Sequence, residues 1–379
     1  MKIIADSNIP FVSECFSSIG EVQTAPGRQM SPEMLKDAQV LLVRSVTKVG
    51  PGLLEASDVK FAATATIGVD HIDQQWLEQK NIGFASAPGS NANSVAEYIT
   101  AAMLKIAGKQ GKKLSDCSIG IIGVGNVGSR VEKKAISLDM KVVLNDPPLA
   151  RKTADPKYRP LEEALGCDFV TIHTPLTRDG QDPTYHMADR EFFSKIKPGA
   201  VFMNTARGAV METAAVENAV KEAKISGLVL DVWENEPDIS MEMLKLADIA
   251  TPHIAGYSFD GKVAGMIMIY DACCRHFGIE PSRKTADFLP RASVPFIDAA
   301  ELTGDEQSRI EAAVSRVYDI MNDDSELRKI TEQDAGQRPV YFDMLRKNYP
   351  VRREFTNTKV KGANKGLARK LSGIGFQVE

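Results

Sequence analysis

Short apolar runs, each closed by polar residues, recur along this chain with amphipathic stretches between them. Residues 2–5, 40–43 and, more weakly, 61–65 form such runs in the first hundred positions. Residues 118–122 and 141–145 follow. The segments 169–175, 199–208, 227–233 and 248–253 each begin apolar and end polar. Runs this short predict strands covered on both faces, as in a parallel sheet. The intervening stretches predict helices. Ser31 serves as N-cap with Pro32 at the first helical position. Ser94-Val95-Ala96-Glu97 has the S-x-x-E form of a capping box and opens a helix with Val95, Ile99, Ala102, Met103 and Ile106 apolar, ending near Gly108 and Gly111. On that reading Glu97 is a cap rather than a catalytic acid. Residues 161–165 form a further short helix. Strand and helix alternate throughout, which predicts an α/β fold of doubly wound parallel sheets.

One stretch is more specific. A strand at 118–122 runs directly into Gly123-Val124-Gly125-Asn126-Val127-Gly128, then a helix over 129–138, a second strand and Asp146. This is G-x-G-x-x-G in the context its chemistry requires. Gly123 permits the tight turn, Gly125 lets backbone approach a pyrophosphate, and Gly128 lets helix and strand pack closely. The amides around Asn126 and Val127 then face the phosphates at a helix start. Asp146, 18 residues beyond Gly128, suits the adenosine ribose hydroxyls and repels a 2′-phosphate, so NAD is expected rather than NADP.

The later strands deliver Thr174, Arg207, Asp231 and His253 to their carboxyl ends, the edge where a dinucleotide lies. Hydride removal from a carbinol carbon requires the hydroxyl proton to leave too, and an imidazole is its natural acceptor. Glu236 is placed to hold the tautomer of His253. The planar fork of Arg207 matches a carboxylate. Base, orienting acid and carboxylate clamp together point to a 2-hydroxy acid. In the first hundred residues, the loops Val43-Arg44-Ser45-Val46-Thr47 and 64–73 also follow strands. From sequence, each reads equally well as an anion-binding loop or an ordinary turn.

Composition narrows the classes. With 379 residues, two or three domains are expected. A net charge of −4 argues against a general nucleic-acid binder. No apolar stretch reaches the length of a membrane span, and the first residues lack a signal peptide's apolar run. The five cysteines have no C-x-x-C spacing, so no metal or redox pair is expected, and a cytoplasmic protein with reduced thiols is. Near the C-terminus, Thr303-Gly304-Asp305-Glu306 reads as a second capping box, with Ile310, Val314, Val317 and Met321 on one face of the helix it opens. Residues 341–379 hold nine Lys/Arg against three Asp/Glu. A solvated basic face is the commonest reason for such a tail; a nucleic-acid arm lacks the aromatic interleaving. A third reading has Arg346, Arg352 or Arg353 holding a phosphorylated substrate, across a dimer interface.

Taken together, Gly68-Val69-Asp70-His71-Ile72-Asp73, residues 91–97, the glycine fingerprint, Asn204-Thr205-Ala206-Arg207-Gly208, Asp231-Val232-Trp233-Glu234 with Glu236-Pro237, and Thr251-Pro252-His253-Ile254-Ala255-Gly256 resemble the D-isomer-specific 2-hydroxyacid dehydrogenases in that family's order. The resemblance covers about residues 1–280. It implies two doubly wound, Rossmann-like domains with a cleft between them: a substrate-binding lid from 1–93 and 257–285, and an NAD-binding domain from 94–256. It implies Arg207, Glu236 and His253 as the catalytic three and Asp231 at the nicotinamide end. The loops at 43–47, 64–68, 175–186 and 256–258 and the segment 349–355 resemble one branch of the family. That branch implies Ser45, Thr66 and Tyr257 as substrate contacts, Thr174 and Gly256 as cofactor contacts, a small phosphorylated 2-hydroxy acid as substrate, and a small α+β domain over 286–379 that makes a homodimer. Two alternatives stay open: a dehydrogenase for another acid, such as 3-phosphoglycerate or lactate, and an NAD-sensing binding protein of the corepressor kind.

Overall fold

The computed structural model describes residues 1–379, which fold as two compact units: 1–91 with 257–291, and 92–256 with 292–379. The first is built on β1 (Lys2–Asp6), β2 (Glu21–Ala25), β3 (Val40–Val43), β4 (Phe61–Thr64) and β5 (Gly83–Ala85). All pairs are parallel, in the order β2-β1-β3-β4-β5. Successive side chains of a strand point to opposite faces. Ile3, Ala5, Leu42 and Ala63 therefore pack against Val263, Met266 and Tyr270 of the helix Phe259–Phe277. Ile4, Leu41, Val43 and Ala62 pack on the other side with Leu35, Leu53 and Leu77. Ser258 opens the long helix by accepting from the Gly261 amide, and Gly278, at φ +67, closes it.

The second unit carries β6 (Ser118–Ile122), β7 (Lys141–Asn145), β8 (Phe169–Ile172), β9 (Ala200–Asn204), β10 (Ile225–Leu230) and β11 (Ile249–Ala250). They lie parallel in the order β11-β10-β9-β8-β6-β7, so the order reverses between β6 and β8. The glycine turn follows β6 at this switch point, where open α/β sheets bind ligands.

Residues 292–379 add a parallel three-stranded sheet, β12 (Phe296–Asp298), β13 (Lys359–Lys361) and β14 (Gln377–Val378), and helices that cover the larger sheet's edge. Asp324, on the helix Ile320–Arg328, accepts from the Ala250 amide of β11 at 2.8 Å, and Arg328 donates to the Leu244 and Ala247 carbonyls. The edge strand's Ala250 amide is thereby satisfied.

Three expectations change. The helix expected to start at a Ser94 cap spans Ala92–Lys109, so Ser94 lies in its first turn and its hydroxyl bonds the Ala255 carbonyl instead. Glu97 is buried and accepts from the Phe355 amide and the Asn93 side chain, not from a cap. Burial pushes its carboxyl up and pushes the Lys134 ammonium down, each opposed by the other's charge. The second capping box also fails: Asp305, not Thr303, caps the helix Glu306–Val317, and Met321 belongs to the next helix and is exposed.

Candidate active site

The glycine turn has the conformation and close packing its sequence suggests. Gly123 sits at φ +86. A Cβ on Gly128 would stand 2.1 Å from the Gly123 carbonyl, whereas one on Gly125 would meet nothing within 4 Å. Gly125 and Asn126 are exposed and Val127 half-buried, so backbone is open to a ligand just before the helix Gly128–Ser137. Asp146 does more than the sequence shows. One carboxylate oxygen accepts the Val124 amide at 2.8 Å and fixes the turn; the other accepts Leu149 at 2.9 Å and caps the helix Pro147–Thr153. Both oxygens keep further lone pairs for ribose hydroxyls. Beside the turn, the Thr174 hydroxyl is buried with no hydrogen-bond partner, and the threonine's methyl lies 3.0 Å from where a Gly123 Cβ would be. An orphaned buried hydroxyl beside open glycine backbone fits a dinucleotide that supplies the missing bond. His173, one residue earlier, is held neutral: burial pushes its imidazole down to about 3.

The other strand ends converge. Asn204 ties the turn after β9, accepting from the Ala206 amide and donating to the Arg207 carbonyl. Gly208 then lies so close to the Trp233 carbonyl that a Cβ would stand 1.9 Å away. The Arg207 loop and the 233–236 loop therefore touch, and only glycine fits there. His253 follows β11 at φ +57, a left-handed conformation that is uncommon for a residue with a Cβ and marks a position its surroundings over-determine. Its amide donates to the Asp231 carbonyl at 2.7 Å. The Asp231 carboxylate accepts the Ile254 amide at 2.7 Å, the Ala255 amide at 3.0 Å and the Thr251 hydroxyl at 2.6 Å. Burial pushes the Asp231 carboxyl up, against the His253 charge and these three donors. Asp231 is thus the internal brace of the histidine turn, whatever else it touches.

The pair at the centre is His253 Nδ1 with Glu236 Oε2 at 2.7 Å. Glu236 Oε1 accepts the Trp233 amide at 2.8 Å, so the carboxylate is held at both oxygens. Burial pushes the Glu236 carboxyl up. The charge and hydrogen bond of His253, the Trp233 amide and the charge of Arg346 outweigh this and hold it below its ordinary value. A carboxylate at Nδ1 places the ring's proton there and leaves the Nε2 lone pair to accept another.

Sequence reasoning missed a second pair. His186 Nε2 lies 2.6 Å from Glu234 Oε1, while Thr213 donates its amide and hydroxyl to Glu234 Oε2. The His186 amide also holds the Ala209 carbonyl, so this pair braces the Arg207 loop. Two carboxylates two residues apart, Glu234 and Glu236, were the available signal.

The expected substrate contacts Ser45, Thr66 and Tyr257 all lie in the other unit. Thr66 shares a hydrogen bond with Thr64 at 2.7 Å. Around the Tyr257 ring stand two cations, Arg44 at 5.9 Å and Lys262 at 4.5 Å. Sequence reading gave neither a task. In the basic tail, Arg352 and Arg353 are buried rather than solvated, so they form no free anion-binding face.

Residues 91–255 match the D-isomer specific 2-hydroxyacid dehydrogenase NAD binding domain, and 288–375 match a domain of unknown function. The chain is 42% identical to erythronate-4-phosphate dehydrogenase of Marinobacter nauticus, covering 100% of both chains, and 42% identical to that of Proteus mirabilis, covering 99% of each. Among solved structures, D-lactate dehydrogenase of Aquifex aeolicus, complexed with NAD and lactic acid, is similar at 26% identity and TM-score 0.60, covering 73% of this chain and 96% of that one. The NAD-bound 3-phosphoglycerate dehydrogenase of Entamoeba histolytica is similar at 26% identity and TM-score 0.62, covering 73% and 95%.

Proposed function

The chain belongs to the erythronate-4-phosphate dehydrogenases, within the D-isomer-specific 2-hydroxyacid dehydrogenase family, and from that premise we propose that it oxidises the 2-hydroxyl of 4-phospho-D-erythronate. The product is 2-oxo-3-hydroxy-4-phosphobutanoate, on the route to pyridoxal 5′-phosphate, vitamin B6. NAD, when bound, supplies the hydride acceptor. Gly123, Gly125, Asn126, Val127 and Gly128 line its pyrophosphate, Asp146 its ribose, and Thr174, Asp231 and Gly256 its remaining polar contacts.

The observation that carries the reading is the His253–Glu236 pair at the sheet's carboxyl edge. His253 Nε2 accepts the 2-hydroxyl proton as the carbinol hydrogen leaves. Glu236 stabilises the imidazolium so formed. Arg207 clamps the substrate carboxylate and polarises the carbonyl as it develops. Ser45, Thr66 and Tyr257 contact the rest of the substrate, with Arg44 and Lys262 giving the Tyr257 neighbourhood the positive charge an anionic substrate requires. Steady-state rates decide the matter. 4-Phospho-D-erythronate should be oxidised with NAD, with far lower kcat/KM for 3-phosphoglycerate and D-lactate, and poorly with NADP because of Asp146. No turnover of the first acid above background would sink the assignment.

Two coarser findings extend into proposals. No helix is long and apolar enough to cross a membrane. All five cysteines are buried free thiols, which suits the reducing cytoplasm. We place the homodimer contact on the C-terminal segment, where Val340 and Met344 stand exposed one turn apart on the helix Arg338–Lys347 and Val351 is exposed nearby in sequence. Sedimentation equilibrium should return twice the chain mass, and charged residues at 340 and 344 should halve it; a monomeric wild type would refute the proposal.

A further inference from the structure

The proposed reaction gives no task to Arg352, a buried cation of the C-terminal segment. Its side chain reaches the histidine turn. One terminal nitrogen donates to the Ala255 carbonyl at 2.6 Å and to the Ser94 hydroxyl, and that hydroxyl itself donates to the same carbonyl at 2.9 Å. The two peptides before it are held by Asp231, which accepts from the Ala255 and Ile254 amides. The turn that carries His253 is therefore gripped at two places. Asp231 holds its amides, and Arg352 with Ser94 holds its last inward carbonyl.

The rest of the guanidinium is fixed by aromatic rings rather than hydrogen bonds. Its carbon stands 4.2 Å from the Tyr318 centroid and 5.9 Å from that of Tyr349, while Nε and Nη1 are buried with no hydrogen-bond partner. Asp323 accepts from both phenols, at 2.9 and 2.8 Å. Burying two guanidinium nitrogens without a protein hydrogen-bond partner is unfavourable, and the ring faces and nearby carboxylate only partly offset it. A residue chosen for stability alone would be better satisfied. The hydrogen bonds Arg352 makes go to Ser94 and to the Ala255 carbonyl, the latter two residues from a histidine held in a left-handed conformation that needs external support.

We infer that Arg352 is a positioning residue for proton transfer, by which the C-terminal segment holds the His253 turn in register with Glu236. The inference rests on His253 being the proton acceptor, as proposed above. Displacing a reacting group by about 1 Å can cost on the order of 10²-fold in rate. In Arg352→Met, which keeps length but removes the donors, kcat should fall by roughly 10- to 100-fold, with KM and NADH affinity near wild type. Added methylguanidinium should restore part of the loss to an Arg352→Ala variant. Hydrogen exchange over residues 251–257 should quicken in both variants, a readout that needs no substrate. Ser94→Ala removes the second donor with little risk to folding and should shift kcat and exchange the same way by less. Wild-type kcat and wild-type exchange in Arg352→Met overturn the inference, as does a kcat loss that only tracks the unfolded fraction. If Arg352→Met does not fold, unchanged exchange and kcat in Ser94→Ala overturn it. A wild-type enzyme inactive on every acid tested would instead refute the proposed function, and the exchange results would still decide this one.

Discussion

Replacing His253 by Ala should lower kcat for hydroxy-acid oxidation by about 10²–10⁴, the usual worth of a positioned general base, while NADH still binds. The expectation follows from how the residue is held. Its Nδ1 is committed to Glu236, its amide to the Asp231 carbonyl, and the turn behind it to Asp231 and Arg352, so Nε2 is the only ring atom left to do chemistry. None of these hydrogen bonds involves a residue of the glycine turn, so cofactor binding should survive. The residue's φ of +57 supplies a control. Ala at this angle is strained, whereas Gly is not, so His253→Gly should lose as much kcat as His253→Ala yet melt no lower. An NAD-sensing protein without turnover would show no difference between wild type and either variant. A rate unchanged by both substitutions would remove His253 from the reaction.

The elements that sequence made legible share one property: their role is decided locally. β3 and β9 are continuous apolar runs because both faces are covered. The edge strand β2 escaped notice because Glu21–Ala25 is mostly exposed and carries no such run. The glycine fingerprint was readable because three glycines and an acid at fixed spacing answer to one short turn. The S-x-x-E at Ser94 misled because those side chains are recruited by groups more than 150 residues away in sequence, at Ala255 and Phe355. The same holds for the basic tail: whether Arg352 meets water or a buried carbonyl depends on distant packing, and composition favours water. The polar groups at the strand ends were visible; the residues that brace their loops, including His186 with Glu234, were not.

Glu236→Gln should be more damaging than Glu236→Ala, and the reason lies in which atom of the carboxylate does what. Oε1 accepts the Trp233 amide and Oε2 faces His253 Nδ1. An amide has one oxygen and one NH₂, and nitrogen cannot accept from the Trp233 amide. The Gln oxygen therefore takes the Trp233 bond and the NH₂ turns to Nδ1. Nδ1 must then act as acceptor, which moves the ring proton to Nε2 and blocks the atom that receives the substrate proton. A carboxylate-to-amide change that imposes the wrong tautomer costs about 10⁴ in a serine-protease triad, and a loss of roughly 10³–10⁴ in kcat is expected here. Glu236→Ala leaves the tautomer to solvent and should lose less. NADH binding should be near wild type in both. If Gln proves milder than Ala, then Glu236 does not orient His253, and the 2.7 Å contact is structural only.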